Sequence, residues 1–590
     1  MPRSSRREGI GAWAWFRRHL DSNAVLIVVL SLFAWAPLVG PPYFLNAHDA
    51  PHSIFFLNQF DQAIRDGVLY PRWGVDFALG YGYPLFNIYS TLAFYVAEVF
   101  VLLGASLTAA VKLTYIGAFV ISGLTMYAFA KRVLGPQAGL VAGAVYMFAP
   151  YRLLDIYVRS AFAEFCAFSL LPLVLLLFHD VAHHRSWRRF GLAGLTYAAV
   201  FLTHAATALL FTILLVPYAA FLALSKVRRG WSSVLRLGGL YVGAAALALA
   251  LAAIFVLPMI AEKGYIVEKQ WTQGSFEYLK HFVYPSQLFS PFWGYGYAGE
   301  GLADEMSLQL GLAAVTLSLI GVVCGLGRLV SGWPHVAFFL AASLVVVGAM
   351  MPAAQPLWQL LPLAAFVQFP WRLLGLVALT MSFLGGAAVH GLGETSPDKA
   401  DFVDARIAVL VLVVVLASYA YTVPRYTTSS TRSEQAVAII DFETFYAPDR
   451  VGMTAWAEEQ PQNSPLVAQY LSGEPLIKAV GLAEGMQVQM IKHSAAREEV
   501  EITSPKGGEV RFYTYYYPGW RGYVDGSEVD IYPGGPYGLI TIQVPPGEHQ
   551  VSIRFGNTPA RVAGTIITVA SLAVTAVLLV SPWGRRARST

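Results

Sequence analysis

The residues best equipped for chemistry lie far apart in the chain. His48-Asp49-Ala50-Pro51-His52 follows the first membrane-length apolar run, Ala24 to Val39. A carboxylate flanked by two imidazoles is costly beside a bilayer and is rarely placed there for packing. Such a group can share a divalent metal, take a proton or hold a phosphate. Asp155, Arg159 and Glu164 form a second group between two apolar runs. His204 stands at the turn of a tight apolar hairpin, and Gln368, Trp371 and Arg372 lie where another apolar run begins. Each has a plain structural alternative. Asp49 could cap the helix that follows it, and His52 could stack on aromatic rings. Asp155 or Glu164 could simply neutralise Arg159. His204 and Arg372 could be ordinary interfacial residues.

What joins these residues is the depth at which the rest of the chain must place them. The chain has 590 residues, 56% of them hydrophobic and 13% charged. Its mean hydropathy is +0.54. That composition excludes a soluble globular protein. Apolar runs of about 17–25 residues recur, each able to cross a hydrocarbon core roughly 30 Å thick. The net charge of +4 gives no reason to invoke nucleic acid. Cys166 and Cys324 both fall in apolar runs and read as small hydrophobes. The basic N-terminus (Arg3, Arg6, Arg7, Arg17, Arg18) reads as a retained signal anchor, since Val39-Gly40-Pro41-Pro42 is no small-residue cleavage site.

Lysine and arginine favour the cytoplasmic side of short loops. The basic segments are the N-terminus, Lys131-Arg132, His183 to Arg189, Lys226 to Arg229, Arg328 and Arg585 to Arg588. Placing all of them inside predicts about twelve transmembrane helices with both termini cytoplasmic. These lie near 24–40, 108–130, 136–150, 163–181, 189–204, 206–225, 236–259, 306–326, 334–352, 371–392, 405–422 and 562–582. The run Leu85 to Leu103 breaks the charge rule if it spans. It is therefore expected to lie against the outer leaflet, with a simple two-span hairpin as the alternative. Ser53 to Asp66 is a second amphipathic piece of the same loop. All the candidate residues then fall near the outer boundary, as a polar cavity opening outward would require.

The expected organisation is a transmembrane domain over 1–422 with external loops at 40–107 and 260–305. An extracytoplasmic β domain over 423–561 follows, then a last transmembrane helix and basic cytoplasmic tail over 562–590. Gln487 to Ile491, Glu498 to Thr503, Val510 to Tyr517, Leu539 to Val544 and Gln550 to Phe555 alternate or are β-branched and aromatic. Turns such as Asp525-Gly526 punctuate them, predicting an antiparallel β-sandwich.

Several stretches together resemble a known class. They are His48-Asp49-Ala50-Pro51-His52, Tyr70-Pro71-Arg72-Trp73, Gly80-Tyr81-Gly82-Tyr83-Pro84, Pro150-Tyr151-Arg152 through Arg159 and Glu164, Leu202-Thr203-His204, Gln368-Phe369-Pro370-Trp371-Arg372, and Tyr517-Pro518-Gly519-Trp520 with Val524-Asp525-Gly526. Their order resembles the GT-C superfamily of membrane glycosyltransferases. Closer still is a resemblance to YfhO-type membrane proteins and the set labelled "6-pyruvoyl-tetrahydropterin synthase related". The resemblance implies a GT-C-like fold and a cell-membrane enzyme. That enzyme would move a sugar from a polyprenyl-phosphate donor to a glycan, lipid or protein acceptor outside the cytoplasm. Asp49 takes the place of that class's first-loop acid and would serve as base in an inverting displacement. Asp155 or Glu164 matches its second acidic site. His48, His52, Arg159, His204, Gln368, Trp371 and Arg372 would bind substrate, the arginines through phosphate. The second loop lacks a paired Asp-x-Asp, which disfavours a metal. A divalent ion shared by Asp49, His48 and His52 is the other option. A lipid or glycan transporter, or a non-catalytic envelope assembly protein on the same scaffold, would share these features.

Overall fold

The computed structural model describes residues 21–44, 46–184, 186–361, 363–392, 404–427, 431–445 and 452–581. The basic N-terminal residues and Arg585 to Arg588 lie outside the described residues. Within these, seven helices are long and apolar enough to cross a membrane. They are Leu107–Leu134, Phe162–His183, Ala205–Arg229, Trp231–Leu251, Pro370–Leu392, Ala405–Thr422 and Pro559–Val580. A pair bent by 85°, Trp333–Ala349 with Pro352–Gln359, makes eight if taken as one span. The chain is thus a multi-pass membrane protein, with fewer full-length apolar helices among the described residues than the twelve spans expected.

The difference has local causes. The expected 136–150 span is the 12-residue helix Pro136–Met147, about 18 Å long at 1.5 Å per residue. Pro150 opens a new helix and ends the run. Pro136–Met147 is instead buried against Leu107–Leu134 and Ser22–Trp35. A methyl group on Gly143 would meet Ile27 Cδ1 at 2.6 Å and the Gly123 carbonyl at 3.0 Å. Glycine lets these backbones approach, a common way to pack helices in lipid. The 189–204 segment is the 17-residue helix Trp187–Thr203. Ser22–Leu38 and Leu312–Leu326 are apolar but short.

The Leu85 to Leu103 run is not one continuous helix. It breaks into Leu85–Ile88 and Leu92–Leu102. The longer piece has 11 residues, about 17 Å at helical rise and too short for a hydrocarbon core. It buries Ala93, Phe94, Ala97 and Val101 and exposes Val96, Val99 and Leu102. It packs on Ala50–Arg65, which buries Ile54, Leu57 and Phe60.

The C-terminal part holds two antiparallel sheets. One has the order β1-β4-β8-β7 (Ala479–Gly481, Gly508–Tyr515, Leu539–Val544, Tyr532–Gly534). The other has the order β2-β3-β9-β5-β6 (Gln487–Ser494, Arg497–Ser504, Gly547–Phe555, Trp520–Val524, Ser527–Val529). Alternating Val500, Ile502, Val510, Phe512, Ile540, Ile542, Val551 and Ile553 are fully buried, the pattern of a two-sheet core. All five expected strands are present. The sheets begin only at Ala479, however. Among the residues before it, Ala436–Phe445 and Pro465–Ser472 are helical, contrary to a β domain starting at 423.

Two networks seat this part on the rest. Arg561, fully buried at the start of the last helix, meets Glu262 at 2.8 Å. Glu262 also accepts from Asn87 at 2.7 Å and Tyr517 at 3.3 Å, and Arg72 donates to Asn87 at 3.0 Å. Nearby, Glu443 accepts the backbone N–H groups of Ala78 (3.0 Å) and Leu79 (2.6 Å). Both residues are left-handed at φ 56°. Buried Lys478 donates to the Gly80 carbonyl at 2.5 Å and lies 3.5 Å from Glu498.

Candidate functional site

The site is organised by a helix that stops one turn early. Pro150–Tyr157 ends because Ser160 turns left-handed at φ 52°. The Ala161 N–H reaches back to the Asp155 carbonyl at 2.9 Å, a Schellman-like closure with serine where glycine is usual. Side-chain contacts offset the strain. Ser160 Oγ lies 3.1 Å from Tyr115 Oη and 3.2 Å from Tyr43 Oη, and Ser53 Oγ donates to its carbonyl at 3.3 Å. The turn leaves the Val158 and Arg159 carbonyls to accept the N–H groups of His48 (3.1 Å) and Asp49 (2.7 Å). Those two bonds bring the segment around Asp49 to the second acidic group.

Arg159 sits at the centre. Its guanidinium donates to Asp155 at 2.5 Å and Glu164 at 3.2 Å, and lies 4.6 Å from the Trp371 ring centre. Glu164 also accepts from Tyr151 Oη at 2.8 Å and pairs with Arg372 at 3.3 Å. Arg372 Nη1 donates to the Val367 carbonyl at 2.8 Å and to Gln368 Oε1 at 3.0 Å. Gln368, left-handed at φ 65°, donates to the Trp271 carbonyl at 2.9 Å. Two carboxylates and two guanidinium groups from separate segments therefore meet, and their charges balance. Unpaired, any one of them would be expensive to bury.

Exposure sorts their roles. Asp155 and Glu164 are 0% and 2% exposed, and the Arg372 side chain 12%. Asp49 is exposed at the rim. It occupies the N-cap position of Ala50–Arg65, yet its side chain makes no capping hydrogen bond. The capping alternative for Asp49 is therefore not what the structure shows. Its carboxylate lies within electrostatic reach of Arg159, His48 and Tyr89. Trp371 Nε1 is buried with no acceptor among the described residues, an unsatisfied donor beside two arginines.

The histidines divide. His204 caps Ala205–Leu224, its Nδ1 accepting the Thr207 N–H at 3.3 Å, and lies within electrostatic reach of Glu164 and Arg372. His48 Nε2 meets the Gly296 carbonyl at 2.9 Å, and its ring stacks on Tyr297 at 4.2 Å. Burial holds the His48 imidazole below its ordinary pKa, so it is neutral at pH 7. His52 packs edge-on against Phe442 at 5.1 Å and Phe56 at 5.8 Å. His48 and His52 thus turn to different partners. Among the described residues no three His, Cys, Asp or Glu side chains are grouped to hold a metal ion. The trio Asp49, His48 and His52 does not fit a shared divalent ion.

Sequence reasoning gave no role to Tyr151, Tyr89 or Trp271. Tyr151 stands 13 residues before Glu164, a spacing that gives no helical or strand period. Tyr89 packs against His204 with ring centres 6.4 Å apart. It ends the short helix that splits the Leu85 to Leu103 run. That break was the available sign.

Fold and site together define a multi-pass membrane protein with a buried acid–arginine cluster beside an exposed carboxylate. The chain belongs to the family described as "Family of unknown function (DUF6541)", which matches residues 11–483. The YfhO-type name drawn from the motifs is thus not the name of the matching family. The match ends just past β1, leaving most of the sheet domain outside it. No curated protein matches the sequence. Solved structures similar to it include the arabinofuranosyltransferase AftD from Mycobacteria, at 15% identity and a TM-score of 0.45. That alignment covers 70% of this chain but only 28% of AftD. The oligosaccharyltransferase AglB from Archaeoglobus fulgidus, in complex with an inhibitory peptide and a dolichol-phosphate, aligns at 15% identity and a TM-score of 0.40. It is covered over 55% of its length by 69% of this chain. The arabinosyltransferase EmbB from Mycobacterium smegmatis aligns at 10% identity and a TM-score of 0.36, over 94% of this chain and 66% of EmbB.

Proposed function

We propose that this protein is a GT-C-type membrane glycosyltransferase. It moves a sugar from a polyprenyl-phosphate donor to an acceptor hydroxyl outside the cytoplasm. The observation that supports this reading most is the meeting of Asp49, Arg159, Glu164 and Arg372 from three distant segments. An exposed, uncommitted carboxylate next to balanced arginines suits a base beside an anionic leaving group.

In this reading Asp49 takes the proton of the acceptor hydroxyl. The hydroxyl oxygen attacks the anomeric carbon as the bond from that carbon to the phosphate oxygen breaks. The electron pair leaves with the lipid phosphate, and inversion follows from the direct displacement. Arg372, the more exposed of the two cations, contacts the phosphate through its guanidinium fork, with Trp371 Nε1 as a further donor. Asp155 and Glu164 are fully engaged with arginine and tyrosine. They are positioning residues here, not bases: they fix the two guanidinium groups and lower the cost of burying them. Gln368 fixes Arg372, His204 tunes the field at Glu164, and His48 and His52 hold the Asp49 helix to its neighbours. No step is routed through a metal.

The test is reconstitution of the full-length protein in nanodiscs with a panel of polyprenyl-phosphate sugars and envelope extract. Mass spectrometry should show sugar leaving the lipid phosphate and appearing on an acceptor. Movement of intact donor lipid without transfer would favour a transporter, and neither process would favour an assembly role.

A further inference from the structure

We propose that the end of the helix bundle away from Glu164 holds a second site, which binds a phosphate group. This goes beyond sugar transfer and does not rest on it. Helix Phe162–His183 carries Glu164 near one end and Asp180 near the other, roughly 24 Å apart at helical rise. Side chains from five helices converge around Asp180. Its carboxylate meets Arg132 of Leu107–Leu134 at 3.1 Å and lies 3.7 Å from Arg189 of Trp187–Thr203. His179 and His183 stack with ring centres 4.2 Å apart, and His335 of Trp333–Ala349 stands 5.5 Å from His179. Lys226, near the end of Ala205–Arg229, lies within electrostatic reach of His183 and His335.

Two features of this cluster call for an anionic guest. Asp180 is the acid that Arg132 and Arg189 meet, and Lys226 pairs with none among the described residues. Three cations thus share one carboxylate. In addition, His179 Nδ1, Arg189 Nη1, Tyr218 Oη and His335 Nε2 are all buried with no hydrogen-bond partner among the described residues. Buried polar groups are seldom left so. Arginine has only donors to give, and a hydroxyl or an imidazole can each supply one, so the guest brings acceptors and negative charge. Lysine and arginine do collect at one membrane face for topological reasons alone. That bias places them in water and leaves no donors buried between helices. A metal ion fits worse, since no three ligating side chains are grouped to hold one among the described residues and the neighbouring cations would repel it. Phosphate has enough oxygens to meet two guanidinium forks and an ammonium together. The way in is open: the Arg132 and Arg189 side chains are 43% and 30% exposed. Exposed Leu224, Val227 and Trp231 flank Lys226 in the chain, surroundings that suit the headgroup of an anionic lipid. A soluble phosphate would present the same oxygens.

The test is thermal unfolding of the full-length protein in neutral detergent. Dioleoylphosphatidylglycerol, dioleoylphosphatidylcholine or inorganic phosphate is added at matched ionic strength. A ligand bound to the native state raises the melting temperature. Phosphatidylglycerol should raise it, and phosphatidylcholine, whose choline neutralises its phosphate, should not. A rise with the anionic lipid alone assigns the headgroup, and an equal rise with inorganic phosphate assigns a soluble source; both support the site. Arg132→Gln combined with Arg189→Gln should abolish the rise. Lys226→Gln should shrink it while leaving both Asp180 contacts in place, so it reads the site even if the arginine variant folds poorly. Arg228→Gln combined with Arg236→Gln removes as much charge from exposed positions at the same end and should keep the rise. No rise with either phosphate source, a rise unchanged in Lys226→Gln, or an equal loss in the Arg228 and Arg236 variant would overturn the inference.

Discussion

At the scale of single residues, the site rests on charges that are safe to bury only together. Glu164 has partners in Tyr151, Arg159 and Arg372. Glu164→Ala leaves two buried guanidinium groups short of an anion. It is expected to destabilise the protein by roughly 3–5 kcal/mol, the usual cost of breaking a buried pair from one side. A thermal unfolding curve checks this. His48 gives a pH signature. Burial depresses its pKa from 6.5, so the native state keeps the ring neutral. As pH falls through that ordinary value, the unfolded chain binds a proton the native state refuses. Stability should therefore decline with falling pH in that window, and His48→Gln should flatten the decline in melts taken between pH 5 and 8.

At the scale of elements, the turn at Ser160 decides where Asp49 sits, because the Arg159 carbonyl receives the Asp49 N–H. Ser160→Val puts a β-branched side chain at φ 52° and removes the contacts to Tyr43 and Tyr115. It should cost about 1–3 kcal/mol in stability. Transfer should fall further than the melt alone explains. Much of the site was readable beforehand from residues too costly to sit at a membrane boundary without cause. His48-Asp49, Asp155 to Glu164 and Gln368 to Arg372 are expected at one depth when the basic loops are placed inside, and the structure brings them together. The roles within it were less readable. Asp155 and Glu164 carry the same side-chain chemistry as Asp49, and only tertiary burial separates committed acids from the open one. Strands of six or more residues, such as the β-branched Leu539–Val544, are legible in the sequence, whereas the five-residue β5, Trp520–Val524, is not among the expected strands. The three-residue β1, β6 and β7 are not legible either, since so short a run has no period. The expected spans and the long apolar helices diverge where an apolar run forms a shorter helix, as in Pro136–Met147.

At the scale of the whole molecule, one buried network joins the helix Pro559–Val580, the sheet domain and the segment that carries Arg72 and Asn87. Arg561 and Glu262 have no spacing in the sequence that would pair them. Their contact across nearly 300 positions is set by the fold alone. Glu262→Ala would strand Arg561 in a fully buried position. It is expected to release the sheet domain, seen as faster limited proteolysis near Gly556. Replacing both residues with methionine should restore much of the protection, since a packed apolar pair can stand in for a buried ion pair.

The central claim is that Asp49 accepts the proton of the attacking hydroxyl. Single-turnover sugar transfer by Asp49→Asn and by the unchanged protein, in the same nanodiscs and with matched melting temperatures, tests it most directly. Loss of a base predicts a fall of about 10²–10⁴-fold in the transfer rate, with donor binding intact. Transfer at an undiminished rate in Asp49→Asn would contradict it.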